Sequence, residues 1–248
     1  MYADAAAWVA GPDRVYRRLA RAAVHAIPDD LTGVIALDAG SGTGAASRAL
    51  RDRGATVVAA DLSAAMLNLA TGPRVVGDIR RLPVRTDSVG ASVACLVLSH
   101  VDEPAVALGE LARVTRPDGP VVATAFPAGE RHPVKEAADR ALAAAGYRTP
   151  AWYDEVKSTG EVRVGSPRVL LDLAARVGLR RCRVELCAVS LAGLEPAALV
   201  AWRLGMAQVA AWVSTMDPPA RTRLAARIRA AVPARVPPLA LLVLSGRS

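Results

Sequence analysis

The sequence predicts an α/β fold: a doubly wound, mostly parallel seven-stranded sheet with a helical cap. Three observations predict it. Short apolar runs at 34–38, 55–60, 74–77, 92–101 and 120–126 alternate with helical stretches through the first half of the chain. That alternation builds a parallel sheet covered by helices on both faces. The first run, Val34-Ile35-Ala36-Leu37, ends in Asp38, passes through Gly40-Ser41-Gly42-Thr43-Gly44 and enters a helical run from Ala45 to Leu50. Strand, glycine turn and helix together make a nucleotide-type ligand site. Two later runs, 180–190 and 239–244, bring the strands to seven, with helical segments between them.

At 248 residues and 52% hydrophobic content, a single domain over 1–248 with a sizeable core is expected. No apolar run reaches the roughly 18–20 residues of a membrane span, so no membrane partner is expected. Asp4, Asp13 and Arg14 interrupt the alanine-rich start, which does not read as a secretion signal. The expected location is cytoplasmic. The formal charge of +8 raises nucleic acid as a partner, but the basic residues are scattered, and only Lys135 and Lys157 are lysines. Nucleic acid is therefore not the expected partner. Cys95, Cys182 and Cys187 form neither a disulfide framework nor a zinc pattern, and no metal is expected.

Residues 2–27 read as a helical region broken at Gly11-Pro12, with Val15, Leu19, Ala22, Ala23 and Ala26 on one buried face. Tyr2, Trp8 and Tyr16 stand out in a chain that is only 4% aromatic. Trp8 is expected to pack on the core. Tyr16 is a candidate substrate contact on an N-terminal helical lid spanning 1–30. At the glycine turn two readings stay open. Gly40 to Ala45 satisfies the dinucleotide pattern Gly-x-Gly-x-x-Gly/Ala. Asp38, however, would repel a pyrophosphate, which suits a cationic ligand without phosphate. The next strand ends in Asp61, which follows Gly44 by 17 residues. A strand-end carboxylate at that spacing accepts from both hydroxyls of a ribose, and helix capping is its competing role. A third strand leads to Asp78-Ile79.

Asp38-x-Gly40-x-Gly42-x-Gly44 resembles the first motif of class I S-adenosylmethionine-dependent methyltransferases, and Asp61-Leu62-Ser63-x-x-Met66-Leu67 resembles the second. Gly77-Asp78-Ile79-Arg80-Arg81-Leu82-Pro83 is similar to that family's Gly-Asp-x-x-x-Leu-Pro segment. Glu110-Leu111-Ala112-Arg113-Val114-Thr115-Arg116-Pro117-Asp118-Gly119 is similar to the turn before its fifth strand. Asp118 stands where the family usually has glycine, and Gly90 where an acid usually opens strand four. The resemblance covers 34–126, the expected cofactor-binding core, and points to the small-molecule branch typified by ubiquinone- and menaquinone-pathway methyltransferases. It implies a Rossmann-like fold and S-adenosyl-L-methionine as cofactor. It further implies cofactor contacts from Asp38, Gly40, Ser41, Gly42, Gly44, Asp61, Leu62, Met66, Asp78, Ile79 and Ser99, with Leu62 against the adenine and Asp78 accepting from its amino group.

The second half carries no such motif. Helices are expected at 134–145, from Ser166-Pro167 to Gly178, at 196–213 and at 218–232, with a loop from Tyr147 to Gly165. Residues 127–165 and 191–236 are expected to cap the strand ends and choose the acceptor. His132, Trp152 and Tyr153 join Tyr16 as candidate substrate contacts, and His25 is expected on the surface. His100, following strand four, is the candidate base. The sequence Leu98-Ser99-His100-Val101 lacks the Asn/Asp-Pro-Pro-Tyr/Phe tetrapeptide of many enzymes that methylate amino groups of nucleic acids and proteins. O- or C-methylation of a small molecule in specialised metabolism is the expected reaction. The alternatives are a non-methylating reaction such as cyclisation on the same fold, an RNA methyltransferase, and a nicotinamide oxidoreductase sharing the glycine pattern. A homodimer is the assembly left open.

Overall fold

In the computed structural model, which describes residues 5–248, one seven-stranded sheet runs in the order β3-β2-β1-β4-β5-β7-β6. Its strands are β1 (Ile35–Ala39), β2 (Thr56–Asp61), β3 (Arg74–Val76), β4 (Ala91–Cys95), β5 (Pro120–Ala125), β6 (Arg180–Val189) and β7 (Leu239–Arg247). The pairs β1–β2, β2–β3, β1–β4 and β4–β5 are parallel. Only β7 runs against its neighbours, β5 and β6. The order reverses between β1 and β4, and the carboxyl ends of those strands flank the crevice where ligands bind in open α/β sheets. Tyr2 and Asp4 lie outside the described residues.

The helices are α1 (Ala5–Ala10), α2 (Pro12–His25), α3 (Ala45–Arg51), α4 (Ala64–Leu67), α5 (Pro104–Val114), α6 (Pro133–Ala144), α7 (Ala151–Glu155), α8 (Pro167–Arg176), α9 (Pro196–Leu204), α10 (Ala207–Ser214) and α11 (Pro218–Ala231). Two apolar cores form, one on each side of the sheet. Leu19, Leu50, Val93 and Trp202 lie in the first, Leu37, Leu108, Leu111 and Leu170 in the second. Successive strand residues point to opposite faces, so Ala36 joins one core and Leu37 the other. Cys182 packs on the second core and Cys187 on the first. On α2, Val15, Leu19 and Ala23 are fully buried, and His25 is exposed.

Three elements differ from expectation. Strand four stops at Cys95 because Leu96 adopts a left-handed backbone with φ of 58°, which no strand can continue; Leu98–His100 is a single 3₁₀ turn. The expected loop 147–165 contains α7, followed directly by a π-helical turn, Val156–Gly160. The expected helix 196–213 is two helices bent by 88°. At the break, a Cβ on Gly205 would lie 2.5 Å from the Ala7 carbonyl oxygen and 2.7 Å from Pro12 Cδ, so α1 and α2 approach too closely for any other residue. Asp118 does what glycine would do, taking a φ of 64°, a conformation aspartate tolerates better than most side chains. No single helix among the described residues is long and apolar enough to cross a membrane.

Candidate functional site

The glycine turn sits between β1 and α3 at the reversal point. A Cβ on Gly40 would lie 2.5 Å from Val97 Cγ2, and its φ is 69°, so only glycine fits. The N–H groups of Gly40 and Ser41 donate to the Ala60 carbonyl at 2.8 and 3.0 Å, which ties the turn to the end of β2. The Gly42 N–H donates to Asp61 Oδ2 at 2.7 Å, and the Ser63 N–H donates to Asp61 Oδ1 at 2.8 Å. Asp61 therefore fixes the turn and the entry to α4. The helix cap itself is Ser63, whose Oγ accepts from the Met66 N–H.

Asp38 is fully buried. Its Oδ2 accepts from the Ser47 N–H at 2.7 Å and the Ser47 hydroxyl at 2.6 Å, so this N–H of the first turn of α3 turns toward Asp38. Its Oδ1 and Ser41 Oγ are buried with no hydrogen-bond partner among the described residues. Burial pushes the Asp38 carboxyl up to about 6, against the opposing pull of the two Ser47 bonds. A buried acceptor left unmatched is costly. A ligand group carrying positive charge and N–H donors satisfies it.

These residues line a cavity of about 610 Å³, within the size range of small-molecule sites. Asp38, Gly40, Ser41, Gly42, Asp61, Leu62, Met66, Asp78 and Ile79 are all on its wall. Leu62 is 72% exposed there, a bare apolar face. Asp78 is held by Arg80, with Oδ2 at 2.6 Å from the guanidinium, and this bond keeps its carboxyl below the usual range. Any ligand donor at Asp78 has to share the carboxylate with Arg80. Gly44 is not on the wall; it begins α3 with a φ of 83°. Ser99 is on the wall of a second cavity, of about 350 Å³.

The second cavity adjoins the first, and Tyr16, Leu96 and His100 line both. All four candidate substrate contacts, Tyr16, His132, Trp152 and Tyr153, line it. His132 also has a local task. Its Nδ1 accepts from the Val134 N–H at the start of α6, and Nε2 lies 3.1 Å from the Pro237 carbonyl oxygen. Burial lowers the pKa of His100 to about 4, so its imidazole is neutral at pH 7. Below the cavity the chain is packed to contact: a Cβ on Gly160 would lie 2.1 Å from the Ser99 carbonyl oxygen.

Several site residues escaped the sequence reading. Asp13, on α2, is buried and accepts from the Thr43 hydroxyl at 3.1 Å, from Arg48 at 2.5 Å and from Arg17 at 2.7 Å. It links the N-terminal helix to the glycine turn. Lys135, Lys157, Arg203 and Glu161 line the second cavity. The two lysines are the only ones in the chain, a sequence signal for the charged part of that wall.

Residues 37–123 match a family model described as a methyltransferase domain. The chain is 38% identical over 121 residues to a demethylmenaquinone methyltransferase of Renibacterium salmoninarum, covering 47% of this chain and 49% of that protein. It is 38% identical over 119 residues to the protein of the same name from Mycobacterium tuberculosis, covering 47% and 49%. The chain thus spans about half the length of the curated relatives it matches. Among solved structures, it resembles a putative methyltransferase from an antibiotic biosynthesis pathway of Anabaena variabilis, with a TM-score of 0.65 and 17% identity over 93% of this chain and 97% of that one. It also resembles phosphoethanolamine N-methyltransferase 2 of Haemonchus contortus in complex with S-adenosyl-L-methionine, with a TM-score of 0.60 and 16% identity over 92% and 52%. At these identities the structural likeness is one of fold. Residues 37–123 are thus similar to a methyltransferase domain, and they lie in a Rossmann-like sheet.

Proposed function

We propose that this chain, built on the methyltransferase domain of residues 37–123, carries a methyl group from S-adenosyl-L-methionine in the first cavity to a small-molecule acceptor in the second. The observation that carries the reading is the shared wall of Tyr16, Leu96 and His100 between the two cavities. The cofactor is S-adenosyl-L-methionine, and the residues present suit it. Asp38 Oδ1 and Ser41 Oγ are buried polar atoms without partners, fit for the ammonium end. Asp61 suits the ribose hydroxyls, and Leu62 and Ile79 offer apolar faces for the ring. When bound, the cofactor would supply an electrophilic methyl group on its sulfonium.

What remains for the protein is placement and exclusion of water. The N-terminal lid of residues 1–30, of which 5–30 are described, covers the site. Residues 127–165 and 191–236 form the cap that holds the acceptor, an O- or C-nucleophile of specialised metabolism. His100 shapes the wall, because an imidazole with a pKa of about 4 is a weak acceptor for a proton at neutral pH. The test is to incubate the protein and methyl-labelled S-adenosylmethionine with a cell extract, then fractionate. Label in small molecules is expected. Label in RNA or protein, or consumption of an acceptor without label, overturns the reading.

A further inference from the structure

Resting on that reading, we infer that the acceptor is a planar aromatic acid, whose anionic group is taken by Arg203 and Lys157 in the second cavity. The aromatic content of the chain is concentrated there. Phe126, Tyr147, Trp152, Tyr153 and Trp202, together with Tyr16, line the cavity in a chain with four Trp, four Tyr and one Phe. Such faces hold a flat ring by stacking.

The charge inside that ring of aromatics is the second observation. The Arg203 side chain is only 5% exposed, and its carboxylate partner, Asp139, is 62% exposed. Water screens Asp139 and leaves the guanidinium under-neutralised. Arg203 Nε is buried with no acceptor among the described residues, and the neighbouring Trp202 Nε1 is also without one. Both residues line the cavity, and unmatched donors beside it suit an acceptor-rich ligand. Arg203 lines the same cavity as Tyr147, Tyr153, His132 and Lys135. Glu130, Glu136, Asp139 and Glu161 also line the cavity, and they pair its cations, Arg131 with Glu136, Lys135 with Glu130, Lys157 with Glu161 and Arg203 with Asp139. Lys135 is buried against Glu130 at 2.6 Å and over the Phe126 ring at 4.2 Å. Lys157 donates to both Glu161 oxygens at 2.6 Å and is more exposed than Lys135, so a ligand anion would share it with Glu161. A guanidinium takes a carboxylate through two parallel N–H bonds, which fixes the ring's orientation toward the shared wall.

Calorimetric titrations with protein saturated in S-adenosylhomocysteine test this, using salicylate and 3-hydroxy-2-naphthoate against their carboxamides. The carboxylates are expected to bind at least about ten-fold more tightly than the amides, the discrimination expected when a charge-assisted pair is lost. Arg203→Gln is expected to remove that preference and Arg203→Lys to keep part of it, with homocysteine-cofactor affinity unchanged in both. Should Arg203→Gln fail to fold, the wild-type preference and its reduction in Lys157→Met decide. Equal binding of acid and amide, no binding of either, or an undiminished preference in a folded Arg203→Gln variant overturns the inference. Failure of the protein to bind S-adenosylhomocysteine would instead overturn the proposed cofactor, a separate result.

Discussion

Replacing Asp38 with asparagine separates the cost of burying a charge from its use. The amide keeps an acceptor for the Ser47 N–H and hydroxyl but removes the charge from a fully buried position. Folding raises this carboxyl from 3.8 to about 6, which at 1.36 kcal/mol per pH unit is about 3 kcal/mol. The native chain therefore holds a proton between pH 4 and 6 that the unfolded chain has released. This contribution to stability is complete below pH 4 and lost as pH rises through 6. Asp38→Asn should match the wild type near pH 4 and be up to about 3 kcal/mol more stable at pH 8 by urea denaturation. Its affinity for S-adenosylhomocysteine at pH 8 should fall about ten- to hundred-fold, the loss of one charge-assisted hydrogen bond. His100 sharpens the test because its pKa moves the other way, from 6.5 to about 4. Its contribution is complete above 6.5 and lost as pH falls through 4. In the wild type the two slopes oppose each other between pH 4 and 6, and Asp38→Asn exposes the rising slope of His100. Unchanged cofactor affinity, or no gain in stability at pH 8, refutes the reasoning.

Asp61→Ala removes the acceptor for the Gly42 and Ser63 N–H groups; calorimetry should show weaker S-adenosylhomocysteine binding and a stability loss of about 1–3 kcal/mol. Asp13→Ala strips Thr43, Arg17 and Arg48 of their shared partner; a loss of about 2–3 kcal/mol is expected in urea, with cofactor affinity falling as the turn loosens. His100→Gln should slow methyl transfer less than about ten-fold, whereas removing a general base costs about 10²–10⁴, and the wild-type pH–rate profile should show no inflection near 6.5.

The wall of the first cavity was legible because its signals are local. Asp38, the glycines and Asp61 are placed by strand ends and by a turn that only glycine can make, and nine of the eleven expected cofactor contacts share one cavity wall. Asp78 was legible as a wall residue but not as the partner of Arg80 two positions on. The acceptor half was less legible because its geometry comes from long-range approaches. Gly205, at the break between α9 and α10, lies against α1 and α2, and Gly160, in the π turn, lies against the Ser99 carbonyl. Neither contact has a sequence period. Tyr16 was found as a rare aromatic, and the same argument applied to Lys135 and Lys157, the only lysines, would have found the charged side of the cavity.

The most direct test is a crystal structure of the protein with S-adenosylhomocysteine. The sulfur is expected against the wall of Tyr16, Leu96 and His100, facing the second cavity, with the amino group at Asp38 Oδ1. A sulfur turned away from that wall, or a ligand seated elsewhere, would contradict transfer between the two cavities.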